Sequence, residues 1–265
     1  MILVTGAGGN VGREVVRELT AAGAPVRALS RDGGADLNEP ASLRPALDGV
    51  RAVFLLPGFR DMPGLVAEFK GAGVERVVLL SGQAAVATDT GNAISRYMLR
   101  SETAVRESGL DWTFLRPAAF MSNTLRWLPQ LTAGDVVRDA FGELPIATVD
   151  PADIAAVAAT ALLEPGHAGR AYALTGPQAL RPGDRVRLLG EVLGRALRFE
   201  GWSDEEGWAR MAENTPLEYV EAFFAFYRDH TIDETTVHPT VEQITGRPPR
   251  TFTQWATAHA DGFRA

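Results

Sequence analysis

An α/β protein built on a doubly wound parallel sheet is the fold class that three observations predict. The apolar run Ile2-Leu3-Val4 leads directly into the glycine-rich stretch Thr5 to Gly12, and an amphipathic helical pattern follows at once. Apolar strand-like runs then alternate with helical runs as far as residue 120, the rhythm of βα units in a parallel sheet. At least one of those runs, Ala52 to Leu56, is continuously apolar, as a strand covered on both faces must be.

The first unit carries the most information. Glycines at Gly6-x-x-Gly9-x-x-Gly12 permit a tight turn and let backbone approach a diphosphate. Val11, Val15, Val16 and Leu19 then share one helical face up to Gly23. The N-terminus of that helix offers unpaired N–H groups and a partial positive charge. Strand, glycine turn and helix in this order are the context of a Rossmann dinucleotide site. The plainer alternative is a βα turn that uses glycine only to turn.

The second strand is Pro25 to Ser30, and the residue at its end is where such folds read the adenosine ribose. Ser30 and Arg31 stand there. A hydroxyl beside a guanidinium suits a 2′-phosphate, so NADPH is expected over NADH, with Asp32 leaving the second cofactor open. Only Asp32 to Ala35 separates Arg31 from Asp36-Leu37, and a crossover to a further parallel strand needs at least about 10 residues. The third strand of the usual sheet is therefore expected to be shortened or missing. A helix should start at Asn38-Glu39-Pro40 and end near Gly49.

Ala52 to Leu56, closed by Pro57-Gly58, is the next strand, followed by a helix from Met62 to Gly71. A strand over Val77 to Gly82, a helix over Ala93 to Ser108 and a strand over Trp112 to Leu115 complete the pattern, ending in Arg116-Pro117. Ligands of such sheets bind beyond the carboxyl ends of the strands. That rule gathers Gly6 to Gly12, Arg31, Leu56-Pro57, Ser81-Gly82 and Pro117 to Phe120 around one crevice. Past Phe120 the rhythm changes. Asp150-Pro151 reads as an N-cap and first-turn proline of a helix reaching Leu163. Ala171 to Leu174 reads as a strand, and Gly183 to Gly194 as a helix. Capping-box spacings recur at Ser203/Glu206 and Thr251/Gln254. Two lobes are expected: residues 1–120, with part of 146–176 packed back on them, and a smaller, mainly helical substrate-side lobe of 121–145 and 177–265.

Composition narrows the function classes. The chain has 26 basic and 33 acidic residues, a net charge of −7 without charge blocks, so nucleic acid is not an expected partner. Cysteine is absent, which removes disulfides, thiolate nucleophiles and sulfur-ligated metals. A strand starting at residue 2 leaves no room for a leader, and no apolar run reaches the ~18 residues of a membrane span. A cytoplasmic location without membrane attachment, as monomer or homodimer, is the expectation. His167, His230, His238 and His259 show no metal-ligand spacing. The arginines between Arg181 and Arg198 are accounted for by a solvated helix face.

Four stretches together resemble the NmrA-like atypical short-chain dehydrogenase/reductases: TGAGGNVG (Thr5 to Gly12), SGLDWTFLRPAAFMSN (Ser108 to Asn123), VDPADIAAVAATALLEPGHAGRAYALTG (Val149 to Gly176) and ITGRPPRTF (Ile244 to Phe252). The resemblance spans nearly the whole chain. It implies an NAD(P)-binding Rossmann lobe in which Gly6, Gly8, Gly9, Asn10, Val11, Gly12, Arg31, Asp36, Leu37, Leu56, Pro57 and Ser81 look like cofactor contacts. The family contains NADPH-dependent reductases of quinones and dyes, tailoring enzymes of aromatic natural products, and redox sensors that bind the cofactor without turnover. The wider superfamily places a Tyr-x-x-x-Lys dyad on the helix after its fifth strand. Matching Glu102 to Gly109 with that helix end puts Ile94 and Met98 at the two positions. Lys70, the only lysine, belongs to an earlier helix, and Tyr97 lies about a turn from the expected tyrosine.

Without that dyad, ordinary carbonyl reduction lacks its tuned proton donor. Hydride transfer to an electron-poor quinone-like or polycyclic aromatic acceptor needs less help, because the protein then supplies mainly proximity and orientation. Donors that could steady a developing oxyanion are Ser81, Gln83, Tyr97 and Asn123. Their structural alternatives are backbone bonding for Ser81, a surface loop for Gln83 and a core edge for Tyr97. Phe120 and Trp127 are placed to meet the nicotinamide. Trp202, Trp208, Tyr219, Phe223, Phe224, Phe226 and Tyr227 form either a pocket for a flat apolar substrate or ordinary core or subunit contact. An NADPH-dependent reductase is the leading expectation. The alternatives are a monooxygenase-like enzyme of an aromatic polyketide pathway and a non-catalytic NADP(H)-binding redox sensor.

Overall fold

Six parallel strands form one sheet in the computed structural model, which describes residues 1–30, 35–87 and 91–264. They are β1 (Ile2–Thr5), β2 (Val26–Leu29), β3 (Ala52–Leu55), β4 (Arg76–Leu80), β5 (Asp111–Pro117) and β7 (Arg170–Leu174), in the order β2-β1-β3-β4-β5-β7. The pairings Leu3↔Arg27, Leu3↔Val53, Val53↔Val77, Val78↔Thr113 and Leu115↔Tyr172 hold the strands in one direction. Their carboxyl ends therefore share one edge. Among the described residues β2 is an outer strand with nothing paired beyond it, as the short connection to Asp36 requires.

Alternation along each strand supplies two apolar faces. Ile2, Val4, Phe54, Val78 and Leu115 meet α1 (Gly12–Ala21) and α5 (Pro151–Leu163). Leu3, Val53, Val77, Leu79 and Phe114 meet α2 (Met62–Gly71), α3 (Ala93–Glu107) and the 3₁₀ stretch Pro40–Leu47. That stretch lies where a helix from Asn38 is expected, tightened by Pro45 in its interior. Helix α5 is buried along almost its whole length, which its run of alanines makes possible by letting sheet and neighbouring helices approach closely.

Beyond β5 the chain builds a second layer: the 3₁₀ stretch Met121–Trp127, α4 (Leu128–Ala133), β6 (Val136–Asp139), α6 (Pro182–Leu193), β8 (Arg198–Gly201), α7 (Asp204–Ala212), α8 (Leu217–Tyr227) and α10 (Phe252–Ala258). Helix α9 (Thr240–Thr245), expected in the substrate-side lobe, instead packs back on α5 and β7 through Val241 and Ile244. Both capping boxes form, Ser203 with Glu206 and Thr251 with Gln254. The pair β6–β8, parallel and four residues long, joins the expected helices. Strands that short carry too little periodicity to stand out in the sequence. No helix among the described residues is long and apolar enough to cross a membrane.

Two of the family-like stretches meet at α5, where it borders this layer. Asp150 caps α5 by accepting from the Ala152 amide at 2.9 Å, and the Arg250 guanidinium lies 3.2 Å from its other oxygen. The Arg250 amide donates to Asp153 at 2.7 Å. Asp153 is fully buried, its second oxygen has no partner, and burial pushes its carboxyl up to about 6. A carboxyl raised in the folded state contributes stability at low pH that is lost as pH rises through the raised value. Asp153→Asn keeps the acceptor for Arg250 and removes the ionising group. Its melting temperature relative to wild type is expected to climb between about pH 4 and pH 6, most steeply near the middle of that range, and to level off above it; a pH-independent difference would contradict this assignment.

Candidate cofactor and substrate site

The glycine turn closes on itself at the end of β1. Gly6 is left-handed (φ 63°), and a side chain there would run into Leu56. A Cβ on Gly12 would strike the Gly6 carbonyl group and come within 3.0 Å of the Ala7 Cα, so only glycine lets α1 start against the turn. Gly9 donates to the Gly6 carbonyl at 2.9 Å. Gly8 is different: it is exposed, and no atom lies within 4 Å of where its Cβ would be. The amides of Gly8, Asn10 and Val11 find no acceptor among the described residues, and α1 carries no side-chain cap. Unpaired donors at a helix start, with open space before them, fit a diphosphate.

Other strand ends converge on the same edge. The Thr5 hydroxyl donates to the Phe54 carbonyl and accepts from the Leu56 amide, both at 3.0 Å, which ties Leu56 and Pro57 to the turn. Asn10 accepts from Arg13 at 2.9 Å and donates to Ser122 at 3.2 Å, bridging the turn to the stretch after β5. Ser30 is partly buried at the end of β2; Arg31 lies outside the described residues. Asp36 is exposed, its carboxylate accepting from the Asn38 amide, while Leu37 packs on the core beneath β2. Pro117 ends β5 opposite Leu174, and Phe120 is partly buried against the α1–α5 face.

The four candidate oxyanion donors stand in unlike surroundings. Ser81 is buried and donates at 2.7 Å to Glu102, a fully buried carboxylate that Arg116 holds through two bonds of 2.8 and 2.6 Å. The Ser81 proton is thus already engaged. Met98 lies against this serine, sulfur to oxygen 3.9 Å, and within 3.4 Å of where a Gly82 side chain would start. Ile94 is buried in the adjoining apolar cluster, so apolar groups occupy both dyad positions. Gln83 is buried, and its amide nitrogen has no partner. The Tyr97 ring lies 3.2 Å from where a Cβ on Gly58, past β3, would stand, and burial raises its hydroxyl above the usual tyrosine value. Asn123 is exposed.

Opposite the sheet edge stands α8. Tyr97, Met98, Ile94 and Ala84 on one side pack with Tyr219, Phe223 and Tyr227 on the other. Asn92 joins the layers, capping α3 through the Ile94 amide while donating to the Ala222 carbonyl at 3.1 Å. Of the late aromatics, Phe224 and Phe226 are core, whereas Tyr219, Phe223 and Tyr227 are partly exposed.

Two readings need correction. Trp127 does not face the crevice: it is fully buried, with its indole N–H donating to Asp139 at 2.7 Å. Arg185 is not on a solvated face. It is 4 % exposed, its guanidinium lies 5.5 Å from the centre of the Trp127 ring, and burial lowers its pKa to about 10. Residues that sequence reasoning missed are Glu102, whose partner Arg116 sits inside a recognised stretch, and Glu234, which no local pattern marks.

Two glycines separate folding from binding. Gly12→Ala is expected to lower stability by about 1–3 kcal/mol, the usual cost of overpacking. Gly8→Ala should leave the melting temperature nearly unchanged yet weaken nucleotide binding roughly tenfold or more by covering the open amides. Thermal denaturation and fluorescence titration with NADPH distinguish the two, and equal NADPH affinity in Gly8→Ala would count against the cradle.

Known proteins resemble this chain over its whole length. The family model described as the NmrA-like family matches residues 1–256. A (4-alkanoyl-5-oxo-2,5-dihydrofuran-3-yl)methyl phosphate reductase of Streptomyces griseus is 42% identical over 99% of both chains. An NAD(P)H azoreductase of Xenophilus azovorans is 36% identical over the full length of both. Among solved structures, the NADPH-dependent quinone oxidoreductase QOR2 of Escherichia coli, complexed with NADPH, superimposes with a TM-score of 0.77 at 23% identity, covering 97% of this chain and 99% of that one. The chain belongs to the NmrA-like family.

Proposed function

We propose that the protein is an NADPH-dependent reductase that passes hydride to a quinone-like or polycyclic aromatic acceptor held between the sheet edge and α8. NAD(P)H-dependent oxidoreductase activity is the coarser statement, and the full-length relatives support it. The observations that support the finer reading are the open amide cradle at the end of β1 and the aromatic cluster that α8 forms with α3, with apolar Ile94 and Met98 at the positions matched to the dyad. Gly6 to Gly12 would hold the diphosphate, Ser30 and Arg31 the 2′-phosphate, and Leu56, Pro57, Ser81, Pro117 and Phe120 the nicotinamide end. The bound cofactor supplies the hydride. The chain excludes water with Met98, Phe120 and α8, and it orients the acceptor against Tyr97 and Gln83.

A second acceptor class, a conjugated lactone bearing a phosphate, is favoured by one feature of this chain. Arg185 has no ion-pair partner among the described residues, and its Nε is buried without an acceptor. Asp139 acts on this guanidinium only from beyond bonding distance, a buried guanidinium without a bonded anion is costly, and a substrate phosphate would offset that cost. The Streptomyces griseus relative is named for such a substrate.

A panel of NADPH with a naphthoquinone, an azo dye and an acylbutenolide methyl phosphate tests both readings. Steady NADPH consumption with at least one is expected, and inertness toward all three overturns the proposal. If the phosphate ester is the best acceptor, Arg185→Met should raise its KM roughly tenfold or more while leaving the quinone KM nearly unchanged.

A further inference from the structure

A cavity of about 330 Å³ opens beside α8, lined by Leu144, Pro145 and Ile146 on one wall and by Tyr227, Thr231 and Glu234 on the other. The Tyr227 hydroxyl donates to Glu234 at 3.0 Å. Glu234 is 8 % exposed, and its main-chain carbonyl accepts from the Ala147 amide at 2.8 Å. Ala147 is two residues from Val149, whose amide donates to the carbonyl of Ala119 at 3.0 Å, between the end of β5 and Phe120. Glu234 therefore lies beside the chain leaving β5 and also lines the cavity. The Tyr227 ring is held by Phe141, edge-on with centroids 5.3 Å apart, and by Phe223, stacked at 6.2 Å. Phe141 adopts a left-handed backbone (φ 57°), a conformation that surrounding structure must enforce on a bulky residue.

The sheet side offers no acid that ionises near neutrality, since burial raises the Tyr97 hydroxyl above the usual tyrosine value. The Ser81 proton is bonded to Glu102, and Ile94 and Met98 carry none. Glu234, by contrast, has no cationic partner among the described residues. The charged groups around it are Asp233, whose carboxylate accepts from the Thr235 and Thr236 hydroxyls at 2.7 and 2.6 Å, and His230 on the cavity wall. Arg126 and Arg185 lie toward Tyr227, and Arg126 is tied to Asp139 at 3.0 Å.

We propose that Glu234 is the proton donor of the reductive half-reaction, with Tyr227 as its positioning residue and the adjoining cavity as the acceptor pocket. The inference rests on the reductase reading above. The acceptor gains a hydride, with its two electrons, from the reduced nicotinamide and a proton on oxygen from the Glu234 carboxyl. The nicotinamide is left oxidised and Glu234 ionised, and water returns the proton. Burial pushes the Glu234 carboxyl up to about 7, against the downward pull of the Tyr227 hydrogen bond and the Ala119 amide. A donor must be protonated to act, so turnover should fall as pH rises through about 7.

The test compares wild type, Glu234→Gln and Tyr227→Phe with NADPH and whichever panel acceptor is turned over. Wild-type kcat should drop about tenfold per pH unit above the limb, and Glu234→Gln should lose roughly 10²–10⁴-fold in kcat with the limb abolished, at unchanged NADPH affinity. Removing the Tyr227 hydroxyl takes away a bond that holds the pKa down, so Tyr227→Phe should move the limb to higher pH. An infrared carboxylic-acid carbonyl band that bleaches near pH 7 in wild type should be missing from Glu234→Gln. Wild-type turnover with Glu234→Gln retaining both rate and limb overturns this inference alone, and so does an unmoved limb in Tyr227→Phe if Glu234→Gln fails to fold. NADPH binding without turnover of any acceptor overturns the reductase reading, and the donor role falls with it.

Discussion

The backbone of Gly12 rests against the carbonyl of Gly6, and no side chain fits between them. That approach aims the start of α1 at the carboxyl edge of the sheet, where the first-turn amides of a helix are most useful to an anion. Thr5 extends the constraint sideways, because its single hydroxyl serves the Phe54 carbonyl and the Leu56 amide together. Leu56 in turn lies over Gly6 and rules out a side chain there. Turn, strand end and neighbouring loop are thus locked by groups too small or too fully bonded to move separately. The crevice inherits its shape from them.

Buried acids in this chain fall into two kinds, and partnership separates them. Asp150 has the Arg250 guanidinium, and Glu102 is gripped by Arg116 through two bonds while accepting from Ser81. Paired in this way, a carboxylate is a fastener: it joins the family-like stretches around Val149 and Ile244, or α3 to β5. Glu234 instead accepts from a neutral donor, the Tyr227 hydroxyl. A neutral donor tempers the cost of ionisation in a buried place without cancelling it, so the proton is held close to neutrality. Groups in that range suit proton transfer near neutral pH.

Local signals carried most of the fold into view from sequence. The turn from Gly6 to Gly12, the Asp150-Pro151 helix start and both capping boxes are decided within a few residues of chain, and each forms as read. That β2 has no further strand paired beyond it among the described residues was legible for the same reason, since a connection too short for a crossover is a local fact. What stayed hidden depends on distant partners. Trp127 is as aromatic as Phe120, and only Asp139 and the packing of α6 decide that it is core. Arg185 sits in an arginine-rich stretch that reads as solvated, yet α6 turns it inward over that tryptophan. Glu234 follows Asp233 in a polar segment, and its meaning comes from the chain leaving β5, far away in the sequence.

The dyad positions and the second layer are parts of one arrangement. With Met98 against Ser81 and Ile94 in the apolar cluster, the face of α3 that would carry acid and base is instead the surface on which α8 packs. Asn92 fastens the two by capping α3 and bonding the Ala222 carbonyl of α8. A charged lysine at position 98 would have to be desolvated beside Tyr219 and Phe223, at a cost that a buried ammonium recovers only with a paired anion. The nearest buried carboxylate, Glu102, is already committed to Arg116. Aromatic packing and a dyad therefore compete for the same helix face, and in this chain packing holds it. The proposed proton donor accordingly lies off that face, where the far end of α8 places Tyr227 beside Glu234.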